Sequence, residues 1–427
     1  STIWKGWTFF SSMSLPLSDS ATVSALVAAS TLMSWPSLPA QFQCGTSVDS
    51  VTGDTAPDLD TAPVGQEENS SYTYFVHVEG QSNKGEGKKG KWGVGKIVFQ
   101  KLSELKTFFV FSERRTQDAP DGVTKLWLGQ SILKFHNLNG LTYQPDGWFA
   151  NQDPSGIYVP YTEEVAENFA SGWGIVRSSQ PGLSVVMPYI SESVKLPSVR
   201  DAVIREYFVP IIKGDLECTL IDEAGELTEL RSDNLDAIAA GIEMEKLLIS
   251  ERTSAEMEEA IKSVSAAVRN ETAEFSLVIA DDLPKIADLS VDEDLVTQIR
   301  EAFETGNPLR ITCKIGVPLP KTGQITTDTF EVLLKKSDVA RSATFYAREG
   351  ILVPGKRNAG LVSCISLALV EAGPLANLLG SAEGPAHDSW SSGTAKFKTN
   401  YGSTSKATRL IPIVRGTAEK ILQLISS

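Results

Sequence analysis

The chain has 427 residues, long enough for two or three domains, and its 41% hydrophobic and 22% charged residues exclude a chain disordered throughout. A net charge of −14 excludes a broad nucleic-acid-binding surface, because phosphate contacts need clustered Lys and Arg. Four scattered cysteines without a C-x-x-C pair, and three histidines without paired spacing, give no zinc or other metal site and read as buried thiols and ordinary polar side chains.

From Gly6 to Val48 the only charged residue is Asp19, and Ser, Thr, Ala and Leu dominate. The Ala21–Met33 run is too short and polar for a membrane span. A signal-peptide reading, with Ser37-Leu-Pro-Ala40 as the processing site, is weakened by Asp19, by the hydroxyl side chains and by Lys5 as the sole preceding cation. A cytoplasmic protein without membrane association is therefore expected.

Lys84, Lys88, Lys89, Lys91 and Lys96 form a basic cluster inside this acidic chain. Such a cluster suits a compact polyanion such as ATP; a solvated basic loop and a DNA-contacting loop are the alternatives. Within it, Gly90-Lys-Trp-Gly93-Val94-Gly95-Lys96 combines the conformational freedom of glycine with positive charge. The apolar run Ile97 to Leu105 is predicted to start a helix whose N-terminus favours an anion. The same residues fill the first seven positions of a P-loop, but Ile97 stands where Ser or Thr holds Mg²⁺, and polar Asn83 to Lys89 replaces the buried strand that should come before.

Further on, Thr107 to Phe111, Leu126 to Phe135 and Leu183 to Met187 read as strands, with a loop rich in Asn, Pro, Gly and aromatics around Tyr143 to Tyr161. Pro197 marks a boundary, after which Val203 to Pro210 leads into a second unit. Leu216, Cys218 and Leu220 alternate with polar residues, turn at Ala224-Gly225 and resume at Leu227, the pattern of a hairpin. Helices are predicted over Asp233 to Ser250 and after Thr253, where Glu256 completes a capping box and Met257, Ile261, Val264 and Val268 share a core face. Strands return with Ile311, Cys313, Ile315 and Val317, then Thr329 to Leu334 and Leu361 to Val370.

These motifs resemble the GHKL ATPases: gyrase, the heat-shock chaperones of the ninety-kilodalton class, histidine kinases and mismatch-repair proteins. Gly90, Gly93 and Gly95 before a helix match that family's second glycine box. Gly182-Leu183-Ser184-Val-Val-Met-Pro188 resembles its Gly-Thr box, with Leu183 intervening and Ser184 left as the hydroxyl. Tyr74-Phe75, Glu79-Gly80-x-Ser82-x-Lys84, Leu128-Gly129-Gln130-Ser131 and Glu383-x-Pro385-Ala386-His387-x-x-Trp390 resemble a branch of largely uncharacterised prokaryotic GHKL-type proteins, some suspected in defence. For the Glu383–Trp390 run, the residues favour a structural corner with Trp390 packed over a catalytic role.

The resemblance implies an α/β sandwich, a Bergerat-type ATP-binding domain with helices layered on one mixed sheet, followed by an α+β transducer-like domain. Residues 1–66 form an atypical N-terminal segment, a degraded or incomplete part of the ATP-binding domain; 67–197 are that domain; 198–427 are the C-terminal region. ATP and Mg²⁺ are the implied ligands, with Asp49, Gly53, Ser82, Lys84, Gly90, Gly93, Val94, Gly95, Lys96, Gly182 and Ser184 as binding residues and a homodimer as one working form. Asp49-Ser50-Val51-Thr52-Gly53 keeps only part of the adenine-reading box, and another register, on Gly45-Thr46, puts Gln43 there. The family's catalytic Glu and Mg²⁺-holding Asn lack counterparts, since neither residue type occurs before Glu67, so no catalytic residue is assigned. A missing helix, a diverged binder that no longer hydrolyses and a misread frame all fit. In the transducer, Lys314, Lys321, Lys335 and Lys336 compete for a γ-phosphate role. The readings left open are an ATP-driven conformational switch, a non-enzymatic scaffold with a decayed nucleotide site, and a P-loop-like NTPase.

Overall fold

The computed structural model describes residues 6–9, 28–29, 97–119, 122–152, 154, 158–177, 180–240, 253–280, 285–338, 343–353, 362–384, 389–402 and 405–427. It is a mixed α/β protein that divides into two units. The described part of Gly90–Arg200 and Asp215–Leu230 belong to the first; Asp201–Gly214 and Arg231–Ser427 belong to the second. The division falls inside the Leu196–Ile212 helix, between Arg200 and Asp201, and the Cys218–Ile221/Leu227–Leu230 hairpin groups with the first unit.

In the first unit, strand Thr107–Glu113 is buried along its whole length. It pairs antiparallel with Lys125–Ile132 on one side and Gly182–Pro188 on the other. The strand order is Tyr161–Thr162, Lys125–Ile132, Thr107–Glu113, Gly182–Pro188, Gly6–Phe9 and Ala28–Ala29, with Asp146–Phe149 also on Lys125–Ile132. Every described pairing in this sheet is antiparallel, where a mixed sheet was expected.

The period of two in a strand sorts its side chains onto two faces. Phe108, Val110, Leu126, Leu128 and Met187 lie on one face and receive Phe99 and Leu102 of the helix Ile97–Leu102. Phe109, Phe111, Trp127 and Val186 lie on the other, covered by Ala166, Phe169 and Ala170 of the helix Glu163–Gly172. Leu138-Asn139-Gly140-Leu141 forms a two-residue hairpin with φ of 52° and 79° at its centre, the primed turn that Asn-Gly favours. The loop reading from Tyr143 onward did not extend to it.

The second unit holds a six-stranded mixed sheet, ordered Ala273–Ile279, Leu309–Pro318, Ile325–Lys336, Cys364–Val370, Ala343–Arg348, Ile351–Val353. Ala273–Ile279 with Leu309–Pro318, and Ala343–Arg348 with Cys364–Val370, are parallel pairs. Ile311, Cys313, Ile315 and Val317 all point into one core with Phe330, Val332 and Leu334, as their alternation predicts. Helices Glu293–Glu304, Pro374–Ala382, Ala395–Tyr401 and Ser405–Ser426 contribute to that core.

Thr253 and Glu256 form the predicted capping box: Glu256 N–H donates to Thr253 Oγ1 at 3.2 Å and Thr253 N–H to Glu256 Oε2 at 2.8 Å. Met257, Ile261 and Val264 are buried on this helix, but Val268 is 43% exposed. It is the last residue of the helix, where the chain turns away through Asn270 at φ 57°. The predicted Asp233 to Ser250 helix is described only over Leu235–Ala240.

Candidate functional site

Of the predicted binding residues, Gly182 and Ser184 fall within the described structure. Asp49, Gly53, Ser82, Lys84, Gly90, Gly93, Val94, Gly95 and Lys96 lie outside it, as do Cys44, His77 and His387. Gly182 opens its strand at φ 146°, a conformation that favours glycine, and lies opposite Glu113. Two residues on, Ser184 is fully buried, and its hydroxyl accepts from Arg177 Nη1 at 2.9 Å.

Arg177 arrives from the loop after the Glu163–Gly172 helix. Its Nε donates to the carbonyl of Gln180 at 3.0 Å and its Nη2 to that of Pro181 at 3.2 Å. The guanidinium thus holds the turn into the Gly182 strand, and burial pulls its pKa down.

Glu113 closes this end of the sheet. It pairs with Gly182 on one side and Lys125 on the other, and shares a face with Phe109 and Phe111. It is 8% exposed, and among the described residues its carboxylate has neither a hydrogen bond nor an ion pair. Burial raises its pKa, and the nearby charges of Lys125 and Arg177 offset this only in part. Both cations are engaged elsewhere, Arg177 as above and Lys125 with Glu167 at 2.9 Å.

Beside this polar end stands an aromatic wall. Trp127 lies opposite Phe111, stacks on Tyr161 at 4.8 Å and meets Phe169 at a tilt at 4.5 Å between ring centres. Its indole Nε1 is buried without a hydrogen-bond partner among the described residues. Glu163 adds local strain: it starts its helix at φ 40° while Oε1 accepts from Thr124 N–H at 2.5 Å. A non-glycine residue at such φ costs of order 1–3 kcal/mol and tends to occur at functional sites.

Glu113, Arg177 and Trp127 were not singled out from the sequence. The signal was a carboxylate at the end of Thr-Phe-Phe-Val-Phe-Ser-Glu, where alternation sets it on the face of two phenylalanines.

In the second unit, Glu383 and Trp390 close a structural corner. They form an isolated antiparallel bridge, and Trp390 Nε1 donates to Glu383 Oε2 at 3.1 Å. Lys335 and Lys336 are ion-paired, with Glu259 and Glu304 respectively. Lys314 and Lys321 are exposed. Cys218, Cys313 and Cys364 are buried free thiols.

Among the described residues no helix is long and apolar enough to cross a membrane, and no group of three or more His, Cys, Asp or Glu is arranged to hold a metal ion. No protein-family model matches the chain, and no curated protein matches it.

Proposed function

We propose that this chain is a cytoplasmic ATP-binding protein of GHKL type, acting as an ATP-driven conformational switch. The observation that supports the reading lies between the helix after one glycine motif and the Pro188 end of the other. The helix that follows the Gly90–Lys96 box is tied to the end of the strand that Gly182 opens. Ser103 Oγ donates to Pro188 O at 2.6 Å, Glu104 N–H to Tyr189 O at 2.8 Å and Ser191 N–H to Leu102 O at 2.8 Å. The segment after the glycine box and the Pro188 end of this strand, distant in sequence, are therefore neighbours. Lys84 to Lys96 act as the lid, with the amides of Gly93, Val94 and Gly95 and the Lys96 ammonium on the phosphates. Mg²⁺ enters as the counter-ion of those phosphates. Closure of the lid rearranges the C-terminal domain and favours a homodimer.

A second reading, a scaffold with a decayed nucleotide site, draws on one specific contact: the Ser184 hydroxyl is already held by Arg177. Calorimetric titration with a non-hydrolysable ATP analogue and Mg²⁺, beside a Gly93→Ala, Gly95→Ala double variant, separates the two. Binding by the parent that a folded variant loses supports the switch. Absence of heat with the parent supports the scaffold.

A further inference from the structure

We infer that the edge strand Ala273–Ile279 of the second unit is a pairing surface for a second copy of this chain, which adds antiparallel across a two-fold axis at Ser276. The strand ends the order of the six-stranded sheet: it pairs with Leu309–Pro318 on one side, and no described strand pairs with its other side. Such an edge presents a row of N–H and C=O groups that another strand can satisfy.

The usual protections of a strand edge are missing here. Ala273-Glu-Phe-Ser-Leu-Val-Ile279 is seven residues long and contains neither Pro, Gly nor Lys. Its one charge, Glu274, is already paired by Arg310 of the neighbouring strand at 3.1 Å. Val278 is 72% exposed on the solvent face.

The residue pattern selects a second copy as the occupant and sets the register. Phe275, Leu277 and Ile279 face the core, while Glu274, Ser276 and Val278 face solvent. Because a slip of one residue would exchange the two faces, residues of the same face must oppose each other across the seam. Of the two-fold registers that meet this condition, the one centred on Ser276 pairs all seven residues. In it Ala273 lies opposite Ile279, Phe275 opposite Leu277, Glu274 opposite Val278, and the two Ser276 side chains meet on the axis. Apolar residues meet apolar residues, and the carboxylate never meets its like. Each Glu274 then has a cation on either side, its own Arg310 directly and the other copy's Lys314 one strand further, since Lys314 lies in register beside Val278. This offsets at the seam the repulsion between two chains of net charge −14. The pairing needs no nucleotide, so it stands or falls separately from ATP binding.

The test is sedimentation velocity on the full chain without nucleotide, over a dilution series, for the parent, Ser276→Lys, Ser276→Glu and an equimolar mixture of the two variants. Ser276 is exposed and sits beside neutral Thr312, so the monomer should tolerate either charge, and thermal unfolding checks that it does. The parent is expected to dimerise reversibly. Like charges meeting on the axis should weaken the dimer of each variant by about fivefold, and the mixture should regain at least the parent's affinity. A parent that stays monomeric up to about 100 μM overturns the inference, as it would if a peptide or another segment of the chain took the edge. A dimer that neither variant weakens lies elsewhere on the surface and overturns it equally. A mixture no tighter than its components overturns the pairing at Ser276.

Discussion

Arg348 and Glu383 form a bidentate pair in which both side chains are sealed from solvent, with Nε to Oε2 at 2.7 Å and Nη2 to Oε1 at 3.2 Å. Glu349 takes the remaining side of the same guanidinium. Glu349 remains as counter-charge when Glu383 is neutralised, so what is lost is the charge-assisted bidentate hydrogen bonding, at a cost of about 2–3 kcal/mol. Glu383→Gln is therefore expected to lower the stability of the second unit by that amount in urea unfolding. A loss below about 1 kcal/mol would mean that the pair is not what holds this corner.

Trp390 is the third component of the corner. Its ring meets Tyr346 edge-on at 5.6 Å, the Arg415 guanidinium lies 5.5 Å from its centre, and Tyr346 Oη donates to the Arg415 carbonyl at 2.9 Å. Trp390→Phe keeps most of the ring packing but removes the donor to Glu383, so a cost of about 1–3 kcal/mol is expected. Because both changes act on one carboxylate, the Glu383→Gln, Trp390→Phe double variant should lose clearly less than the sum of the two single variants. Strict additivity in the same urea experiment would contradict the shared bond.

Periodicity made the strands legible. Ile311, Cys313, Ile315 and Val317 alternate over a sheet that is half core, and Thr253 with Glu256 announced its helix through a local bond. The Glu383–Trp390 run was legible as a corner, but its partner Arg348 was not, because 35 residues separate it from Glu383. Glu113 escaped for the same reason. A carboxylate at a strand end ordinarily faces water, and only the fold brings the Arg177 loop and the Glu163–Gly172 helix over it. Val268 went the other way: its spacing fits the core face, but the helix ends there.

Gly129 sits opposite Phe109 in the first sheet, and a Cβ at this position would come within 2.3 Å of Phe109 Cδ1 and 2.7 Å of Cε1. The ring is not free to swing away, since Phe149, Phe169 and Trp173 surround it at 5.1–6.0 Å. Gly129→Ala is expected to destabilise the first unit by about 1–3 kcal/mol through overpacking. Near-ultraviolet circular dichroism should register the displaced aromatic cluster, and an unchanged spectrum with an unchanged melting temperature would refute the prediction.

Burial pushes the Cys218 thiol up to about 11 and that of Cys313 to about 12. The reactive thiolate is therefore scarce at pH 8, and the sulfur atoms are also shielded. Peptide-resolved alkylation at pH 8 should leave both residues unmodified in the native chain and modify them fully in denaturant. Rapid native labelling of either would show that its surroundings open on the timescale of the reagent.

Glu113 gives the chain a pH dependence of definite sign. Its folded-state pKa lies above the ordinary value of 4.5, so the folded chain holds this proton more tightly than the unfolded chain does. Below 4.5 the carboxyl is protonated in both states and carries no ionisation penalty. As pH rises through the folded-state value the penalty develops, and stability falls with it. Glu113→Gln cannot ionise, so the stability of the variant relative to the parent should increase from acid pH to pH 7 and then level off. Paired thermal unfolding across that range measures it. A difference that stays flat would show that Lys125 and Arg177 offset the burial penalty in full, and one that runs in the opposite direction that they outweigh it.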